Sequence, residues 1–388
     1  MNLFVTDKAL WYLARMQDAP PDAIDPNLVH HALVTKLRHH GDVLLASPVF
    51  TVLQSALPAA EVDALVYRDT APLLAGHPAI ARLHTIDRDW KRGGWVRQWR
   101  AETGLLRALR ERRYDLVVHL TEHPRGAWLC RLLRPRYAVG RELPHAHWLW
   151  RTSFTHYYRL PRARPRHTVE CNLDALRRLG LQPAGASRRL VLVPDPGDVE
   201  RAGARRAQHG LEARRFIHLH PGSRWQFKCW TVEAYAALVA GLVDDGWPVV
   251  ITGAPDAAER RLVAAIMDRL APAAKKKVVD LAGALSLREL AALTREARAF
   301  VGVDSAPMHI AAAMQTPVVA LFGPSGEIEW GPWLVPHRVV TSVAHPCRPC
   351  GNDGCGGGKV SECLTTLPVE RVRAALFDLL TETEGMSR

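Results

Sequence analysis

Residues 299–323 read AFVGVDSAPMHIAAAMQTPVVALFG, and this segment indicates the fold class more clearly than any other part of the chain. It predicts a strand at 299–303, a turn at 304–307, a helix at 308–314 and a second strand at 317–322. The first strand is apolar without alternation, which is typical of a parallel strand covered on both faces. The turn follows the carboxyl end of that strand, which is where ligands bind in open α/β sheets.

The same turn contains residues that suit an anion. Asp304, Ser305 and Ala306 lie at the predicted helix start, where free backbone N–H groups and the helix dipole favour a phosphate. Asp304 and Ser305 are also good capping residues, and Pro307 suits a first helical turn. A well-capped turn without a ligand is therefore the alternative interpretation.

A second turn upstream matches the first. Residues 218–230, HLHPGSRWQFKCW, follow a predicted strand at 216–219 and precede a helix that begins near Thr231. Gly222 lets the backbone approach a ligand closely, Ser223 offers a hydroxyl group, and Lys228 adds a positive charge. These three residues predict a second half for an anion site.

A third turn follows the strand at 249–252 and contains Gly253 and Asp256. Turns that follow successive parallel strands open on the same edge of a sheet, so the three turns together predict a diphosphate cradle. Neither the Walker spacing nor the dinucleotide-binding fingerprint occurs in this chain.

Strands and helices also alternate in the first half of the chain. Predicted strands at 32–38, 61–67, 81–86 and 114–120 are separated by predicted helices at 42–57, after Asp69 and at 96–112. This alternation indicates a parallel sheet, and the chain is long enough for two such domains. We predict an N-terminal domain at 1–185, a linker rich in Pro, Gly, Ala and Arg at 186–210, a second domain at 211–367, and a C-terminal helix and tail at 368–388.

The positive charge is concentrated in the first half. The formal net charge is +12, and residues 82–166 hold 20 Arg and Lys against seven Asp and Glu. Six tryptophans are interleaved with these charges: Trp90, Trp95, Trp99, Trp128, Trp148 and Trp150. Such a field indicates an acidic partner, although an Arg-rich solvated surface is the simpler alternative. No nucleic-acid-binding motif accompanies the charge, so we do not predict a nucleic-acid partner.

Four motifs resemble those of glycosyltransferase family 9, the ADP-heptose:lipopolysaccharide heptosyltransferases. They are LVTKLRHHGDVLLASPVF, HPGSRWQFKCW, VDSAPMHIAAA and PVVALFGPS, and they occur in the family's order over about residues 30–380. The sequence around FKCW and GVDSAP is most similar to that of the family members that add a third, branch heptose. The resemblance implies a GT-B architecture, with two facing Rossmann-like doubly wound domains and a central cleft.

For the donor side, the resemblance implies that ADP-heptose binds in the second domain. Lys228 matches the family's lysine between the HPG turn and a tryptophan, and it would neutralise the diphosphate. Asp304, Ser305 and Ala306 would contact the phosphates and the sugar, and His309 matches the histidine that ends the same motif. Asp256 or Glu259 would hold the adenosine ribose. No cofactor is implied beyond the donor itself, and no metal ion.

For the acceptor side, the resemblance assigns the general base to Asp42. From the sequence alone, Asp42 is equally a helix-capping carboxylate. The family usually has a small, Ser-rich loop here, whereas this chain has Arg38, His39 and His40 before Gly41. These three residues are candidates for contacts with an acceptor phosphate. The implied reaction inverts the anomeric centre and forms an α-linked heptose on the inner core of lipopolysaccharide.

The remaining features concern metal binding and location. Cys347, Cys350, Cys355 and Cys363 have a spacing that also occurs in structural zinc sites, although reduced thiols in a Gly-rich loop are our main interpretation. The charged residues in MNLFVTDKALWYLARMQ argue against a signal peptide, and no apolar run is long enough to cross a bilayer. We therefore expect a cytoplasmic protein that is peripheral at the anionic inner-membrane surface.

Two other functions stay open on the sequence. The first is a GT-B transferase with a different nucleotide-sugar donor or acceptor. The second is a non-catalytic relative that binds a nucleotide or a lipid. Retention of both Asp42 and Lys228 argues against the second, because an inactive relative usually loses such residues.

Overall fold

The computed structural model describes residues 20–160 and 165–384, except for the side chain of Lys91. These residues form two compact units. The first comprises 20–160 with 168–188, and the second comprises 165–167 with 189–384. Residues 1–19, which include the charged segment that argues against a signal peptide, lie outside the described residues.

The first unit is built on a six-stranded parallel sheet in the order β3-β2-β1-β4-β5-β6. Its strands are β1 (His31–Thr35), β2 (Glu61–Tyr67), β3 (Arg82–Ile86), β4 (Leu116–His119), β5 (Tyr137–Arg141) and β6 (His156–Tyr158). Its helices are α1 (His40–Leu44), α2 (Ser47–Ala56), α3 (Trp95–Glu111), α4 (Arg125–Leu133), α5 (Trp148–Arg151) and α6 (Thr168–Arg177).

The second unit repeats this plan, with a parallel sheet in the order β12-β11-β10-β7-β8-β9. Its strands are β7 (Ile217–His220), β8 (Val249–Gly253), β9 (Val278–Ala282), β10 (Ala299–Val303), β11 (Val318–Phe322) and β12 (His337–Thr341). Its helices are α7 (Pro196–Gln208), α8 (Val232–Asp244), α9 (Ala257–Asp268), α10 (Pro272–Lys275), α11 (Leu287–Arg295), α12 (Ala306–Ala313), α13 (Glu327–Trp330), α14 (Glu362–Thr365) and α15 (Val369–Glu384).

Both sheets have the doubly wound order, in which the chain moves out from the first strand, returns, and continues on its other side. The first and fourth strands of each sheet are therefore neighbours. The prediction of two α/β doubly wound halves is confirmed. All five residues of β10 and of β11 are buried, which explains why their sequences are apolar without alternation.

Three local predictions need correction. The helix predicted at 42–57 is two helices, α1 and α2, because Pro48 cannot supply the N–H that a continuous helix needs. Helix α12 begins at Ala306 rather than Met308. The predicted linker 186–210 contains helix α7, whose start is fixed by a capping box between Asp195 and Asp198. The composition of this segment hid the helix.

The C-terminal helix α15 packs on the second unit through one apolar face. Val372, Leu376 and Leu379 are fully buried in the core that the strands of this sheet share. The spacing of these residues by three and four places them on one side of the helix. Across the ranges that the structure describes, we find no helix with the length and apolarity to cross a membrane.

Two glycines on helices α4 and α3 provide a test of the side-chain packing in the first unit. A Cβ added to Gly126, in α4, would stand 2.1 Å from the ring of buried His119, which is itself bonded to Thr35 and to the carbonyl of His123. We expect Gly126→Ala to lower the free energy of unfolding by about 1–3 kcal/mol, because the ring has no room to move. Chemical denaturation monitored by circular dichroism measures this change.

The matched control is Gly104→Ala in α3, where an added Cβ meets nothing within 4 Å. This substitution should raise the free energy of unfolding by up to about 1 kcal/mol, since alanine is the better helix former. Equal effects of the two substitutions would contradict the packing described for His119.

Candidate active site

The donor-side residues meet where the strand order of the second sheet reverses. β7 and β10 lie side by side, with His220 opposite Gly302. The chain continues from β7 toward β8 and from β10 toward β11, on opposite sides, so the two following loops diverge and leave a crevice. The HPGSRWQFKCW and DSAP turns are these two loops.

An ion pair joins the two turns across this crevice. Lys228 Nζ lies 2.6 Å from Asp304 Oδ2. The lysine belongs to a short 3-10 segment, Gln226–Lys228, and the Asp304 side chain is 7% exposed against 21% for Lys228. The structure therefore brings Lys228 and Asp304 together at the sheet edge where the sequence places their turns, and their roles stay predictions. Asp304 does not cap α12, because Ser305 holds the N-cap position and the Asp304 carboxylate pairs with the lysine.

The start of α12 is open for an anion. Ser305 occupies the N-cap position with an extended backbone, but its side chain makes no capping hydrogen bond. Its hydroxyl oxygen is buried and has no hydrogen-bond partner among the residues that the structure describes. His309, on the next turn, is buried at 2% exposure. An uncapped helix start offers N–H groups and a positive dipole end to a phosphate.

A buried polar network connects the strands β7 and β8 beneath the two turns with helix α9. The hydroxyl of Thr252 is 2.7 Å from His218 Nε2 and 2.8 Å from His220 Nδ1. The other ring nitrogen of His220, Nε2, lies 3.3 Å from Glu259 Oε2, which also accepts the backbone N–H of Ala254. Burial opposes ionisation of Glu259, but its bonds to His220 and Ala254 outweigh that effect and lower its pKa. Burial lowers the pKa of His218 to about 3, so His218 is neutral.

The structure also shows what four other predicted site residues of the second unit contact. A Cβ on Gly222 would stand 2.4 Å from Glu259 Oε2 and would clash with it. Glycine is therefore needed at this position to make room for the carboxylate, whether or not a ligand binds there. Gly253 would tolerate a Cβ, whose nearest neighbours lie at 3.5 Å. Asp256 caps α9 by accepting the N–H groups of Ala258 and Glu259. Ser223 is buried, and its hydroxyl accepts the N–H of Trp225.

A cavity of about 520 Å³ lies next to Lys228. Two tryptophans and three polar side chains line it together with glycine backbone: Trp225, Trp330, Glu329, Asn352, Asp353, Gly326 and Gly351. The hydroxyl of Ser325, also in its lining, is buried without a hydrogen-bond partner in the described part of the chain. Aromatic faces beside carboxylates and an amide suit a polyhydroxylated ligand.

In the first unit, Asp42 lies in the first turn of α1. Its side chain is 14% exposed, and Arg38 Nε stands 3.7 Å from its Oδ1. His39 occupies the N-cap position of α1, while His40 Nε2 donates to the carbonyl of Asp69 at 3.1 Å. Asp42 is therefore a partly exposed carboxylate with a cation beside it, at the carboxyl end of β1.

Lys36 is a functional candidate that sequence reasoning missed. It follows β1, and its buried ammonium donates to Leu120 O at 3.1 Å and to Asn172 Oδ1 at 3.0 Å. Burial lowers the pKa of Lys36 to about 8, and the charge of Asp42 opposes that shift. The lysine therefore ties β1 to the neighbouring strand end within electrostatic reach of Asp42. A lysine directly after an apolar strand was the available signal.

The cysteine cluster is not arranged as a metal site. Cys347, Cys350 and Cys355 are exposed, and Cys363 is buried. Within residues 20–160 and 165–384, no three His, Cys, Asp or Glu side chains converge closely enough to hold a metal ion. The zinc alternative has no support in this geometry.

The comparisons with known proteins agree with the geometry. The model of glycosyltransferase family 9 (heptosyltransferase) matches residues 103–360. The chain is 35% identical over 349 residues to lipopolysaccharide heptosyltransferase 3 of Escherichia coli K12, and the match covers 89% of this chain and 97% of that protein.

Two solved structures share the fold. A family 9 glycosyltransferase from Veillonella parvula superposes with a TM-score of 0.78 at 23% identity, over 94% of this chain and 99% of that one. ADP-heptose lipopolysaccharide heptosyltransferase II of E. coli gives a TM-score of 0.71 at 23% identity, over 91% and 99%. The architecture is thus GT-B, built from two Rossmann-like units. By its family match and its nearly full-length relative, the chain belongs to glycosyltransferase family 9, the heptosyltransferases.

Proposed function

We propose that this enzyme moves L-glycero-D-manno-heptose from ADP-heptose to the inner core of lipopolysaccharide, with inversion, and that it adds the branch heptose to heptose II. The observation that carries the donor assignment is the Lys228–Asp304 pair beside the uncapped start of α12. The name of the E. coli relative, lipopolysaccharide heptosyltransferase 3, supports the acceptor and the step.

In this proposal, the ADP diphosphate binds between Lys228 and the N-terminus of α12. The negative charge that develops on the leaving β-phosphate is stabilised by the ammonium group, by the backbone N–H groups and by the free hydroxyl of Ser305. The turn at 253–256, at the same edge of the sheet, is left for the adenosine. These groups supply the stabilisation without a metal ion, so we expect turnover to persist in EDTA.

Asp42 acts as the general base. As the acceptor hydroxyl oxygen attacks the anomeric carbon, its proton passes to the Asp42 carboxylate, and the bond from the anomeric carbon to the phosphate oxygen breaks with its electron pair leaving on ADP. Attack from the face opposite ADP converts the β-linked donor into an α-linked product. The ammonium of Lys36 is buried at the same strand end, within electrostatic reach of Asp42.

The donor's heptose occupies the cavity beside Lys228. That cavity adjoins the proposed diphosphate position because Lys228 lines it, and its tryptophans and carboxylates suit sugar hydroxyls and C–H faces. The acceptor is anchored in a lipid, so we place the enzyme at the cytoplasmic face of the inner membrane, as a peripheral protein.

The experiment that tests the function is ADP release from ADP-L-glycero-β-D-manno-heptose, with and without a purified core acceptor that carries two heptoses. We expect release that depends on this acceptor. ADP release only with a shorter acceptor would support heptosyl transfer but would assign the enzyme to an earlier step of inner-core assembly. Binding of ADP without release on either acceptor would contradict heptosyl transfer.

Lys228→Ala should lower kcat/KM by roughly 10²–10³, because it removes the cation at the leaving phosphate. It should also weaken ADP binding in calorimetry. Lys275→Ala removes a surface lysine that pairs with Asp268 at 3.5 Å, and should leave both quantities unchanged. A Lys228→Ala enzyme with normal turnover would remove the lysine from the mechanism.

Asp42→Asn should lower kcat by roughly 10²–10⁴, the usual contribution of a positioned base. The affinity for ADP should be unaffected, since the proposed base does not contact the nucleotide. Asp69→Asn, which changes an exposed carboxylate paired with Arg88 at 3.3 Å, is the control. Comparable losses in the two variants would point to a general effect on the first unit.

Trp330→Ala tests the sugar position. We expect it to raise KM for ADP-heptose about fivefold while the Kd for ADP stays the same, because the contact of an aromatic face with a ligand ring contributes about 1 kcal/mol. Fluorescence titration with ADP and steady-state kinetics measure the two constants. An equal loss for ADP and ADP-heptose would place the nucleotide, rather than the sugar, against this tryptophan.

A further inference from the structure

Four tryptophans of the first unit are largely exposed: Trp95 at 81%, Trp99 at 64%, Trp128 at 54% and Trp148 at 60%. Rings of this size are usually buried in proteins, so four exposed ones in one unit indicate a contact surface. The other two tryptophans of this basic segment differ, because Trp150 is 5% exposed and Trp90 packs on the core.

The exposed rings of α3 share one side of that helix. Trp95, Trp99 and Leu106 are spaced by four and seven residues, which places them in a stripe along the helix. The same helix is anchored to the core through Leu109, which lies one turn beyond Leu106 and is fully buried. Helix α3 therefore presents a row of apolar side chains outward, and nothing in the described part of the first unit covers this row.

Helices α4 and α5 continue this stripe. Leu106 of α3 and Trp128 and Leu132 of α4 line the same apolar groove, of about 470 Å³. The guanidinium of Arg131 lies 5.1 Å from the ring centre of Trp148, at the start of α5. We call the resulting patch the tryptophan surface: Trp95, Trp99, Leu106, Trp128, Leu132 and Trp148.

The charge around the tryptophan surface is positive. The acidic residues of α3 are neutralised, Glu102 by Arg125 at 2.6 Å and Glu111 by Arg107 at 3.1 Å. Several nearby arginines form no ion pair with any residue in the described ranges: Arg97, Arg100, Arg113, Arg134 and Arg136. Unpaired arginines around exposed tryptophans attract an anionic partner that also has an apolar layer.

We propose that the tryptophan surface binds the headgroup region of an anionic lipid bilayer. Tryptophan rings favour the boundary between headgroups and acyl chains, and arginines favour acidic headgroups, so the two residue types suit the two layers of one ligand. This inference deepens the proposed function, on which the identity of the membrane rests. Binding to vesicles itself does not depend on heptosyl transfer.

The test is sedimentation of the full chain with vesicles of phosphatidylethanolamine and phosphatidylglycerol, compared with vesicles of phosphatidylcholine alone. We expect binding to the first and little to the second. Trp95→Ser/Trp99→Ser should weaken binding by about tenfold or more at any salt concentration, since the rings bury apolar area in the bilayer. Arg97→Gln/Arg100→Gln should weaken it about tenfold or more at low salt only, since exposed charges are screened.

Two matched controls lie in the second unit. Val343→Ser changes an exposed apolar residue, 82% exposed, and Arg261→Gln changes an exposed arginine of α9. Both should bind vesicles as the parent protein does. Thermal unfolding of all variants should be unchanged, because each altered side chain is exposed.

Three outcomes would overturn the inference. Vesicle binding that is equal in the tryptophan variant and the parent would move the membrane contact elsewhere. Binding of single-stranded RNA, lost in the same variants, with no vesicle binding would make the partner a nucleic acid. A dimer that the tryptophan variant converts to a monomer, again with no vesicle binding, would make the partner a second copy. Transfer to a short, water-soluble acceptor separates this inference from the proposed function, because the variants should retain it in full.

Discussion

Both halves of this protein depend on one constraint, the reversal of strand order in a parallel sheet. In each unit the first and fourth strands are neighbours, and the chain leaves them in opposite directions. Each reversal opens a crevice at the carboxyl edge of the sheet, where loops can converge without disturbing the core. The residues proposed for the diphosphate follow β7 and β10, and Asp42 follows β1. Lys228 and Asp304, which are far apart in the sequence, thus reach a common edge of the second sheet.

The crevice of the second unit is stiffened by buried polar groups. His218, Thr252 and His220 connect β7 to β8, and Glu259 carries the network into α9 and the backbone of Ala254. Buried polar groups tolerate few alternative arrangements, because an unpaired one would be costly. The loop that carries Lys228 therefore starts from a fixed strand end, and Gly222 is the residue small enough to fit beside Glu259.

The sequence predicted the elements better than the contacts between them. Apolar runs such as β10 and β11 predict buried parallel strands. The positions of Lys228 and Asp304 after such strands indicated that both lie at one edge of the sheet. The glutamate that requires Gly222 and the burial of Lys36 were beyond the sequence, because each depends on a side chain supplied by a distant segment. Helix α7 was hidden by its composition, although its Asp195–Asp198 capping box was readable.

The Lys228–Asp304 pair has a consequence for the end of the catalytic cycle. Asp304 is an internal counter-ion that competes with any phosphate for the same ammonium group. A site that held an unpaired lysine would attract ADP strongly and would release it slowly after each transfer. With the carboxylate 2.6 Å away, the lysine regains a partner as soon as the nucleotide departs. If the diphosphate binds at Lys228 as proposed, the pair would limit product inhibition, at the cost of a looser initial hold on the donor.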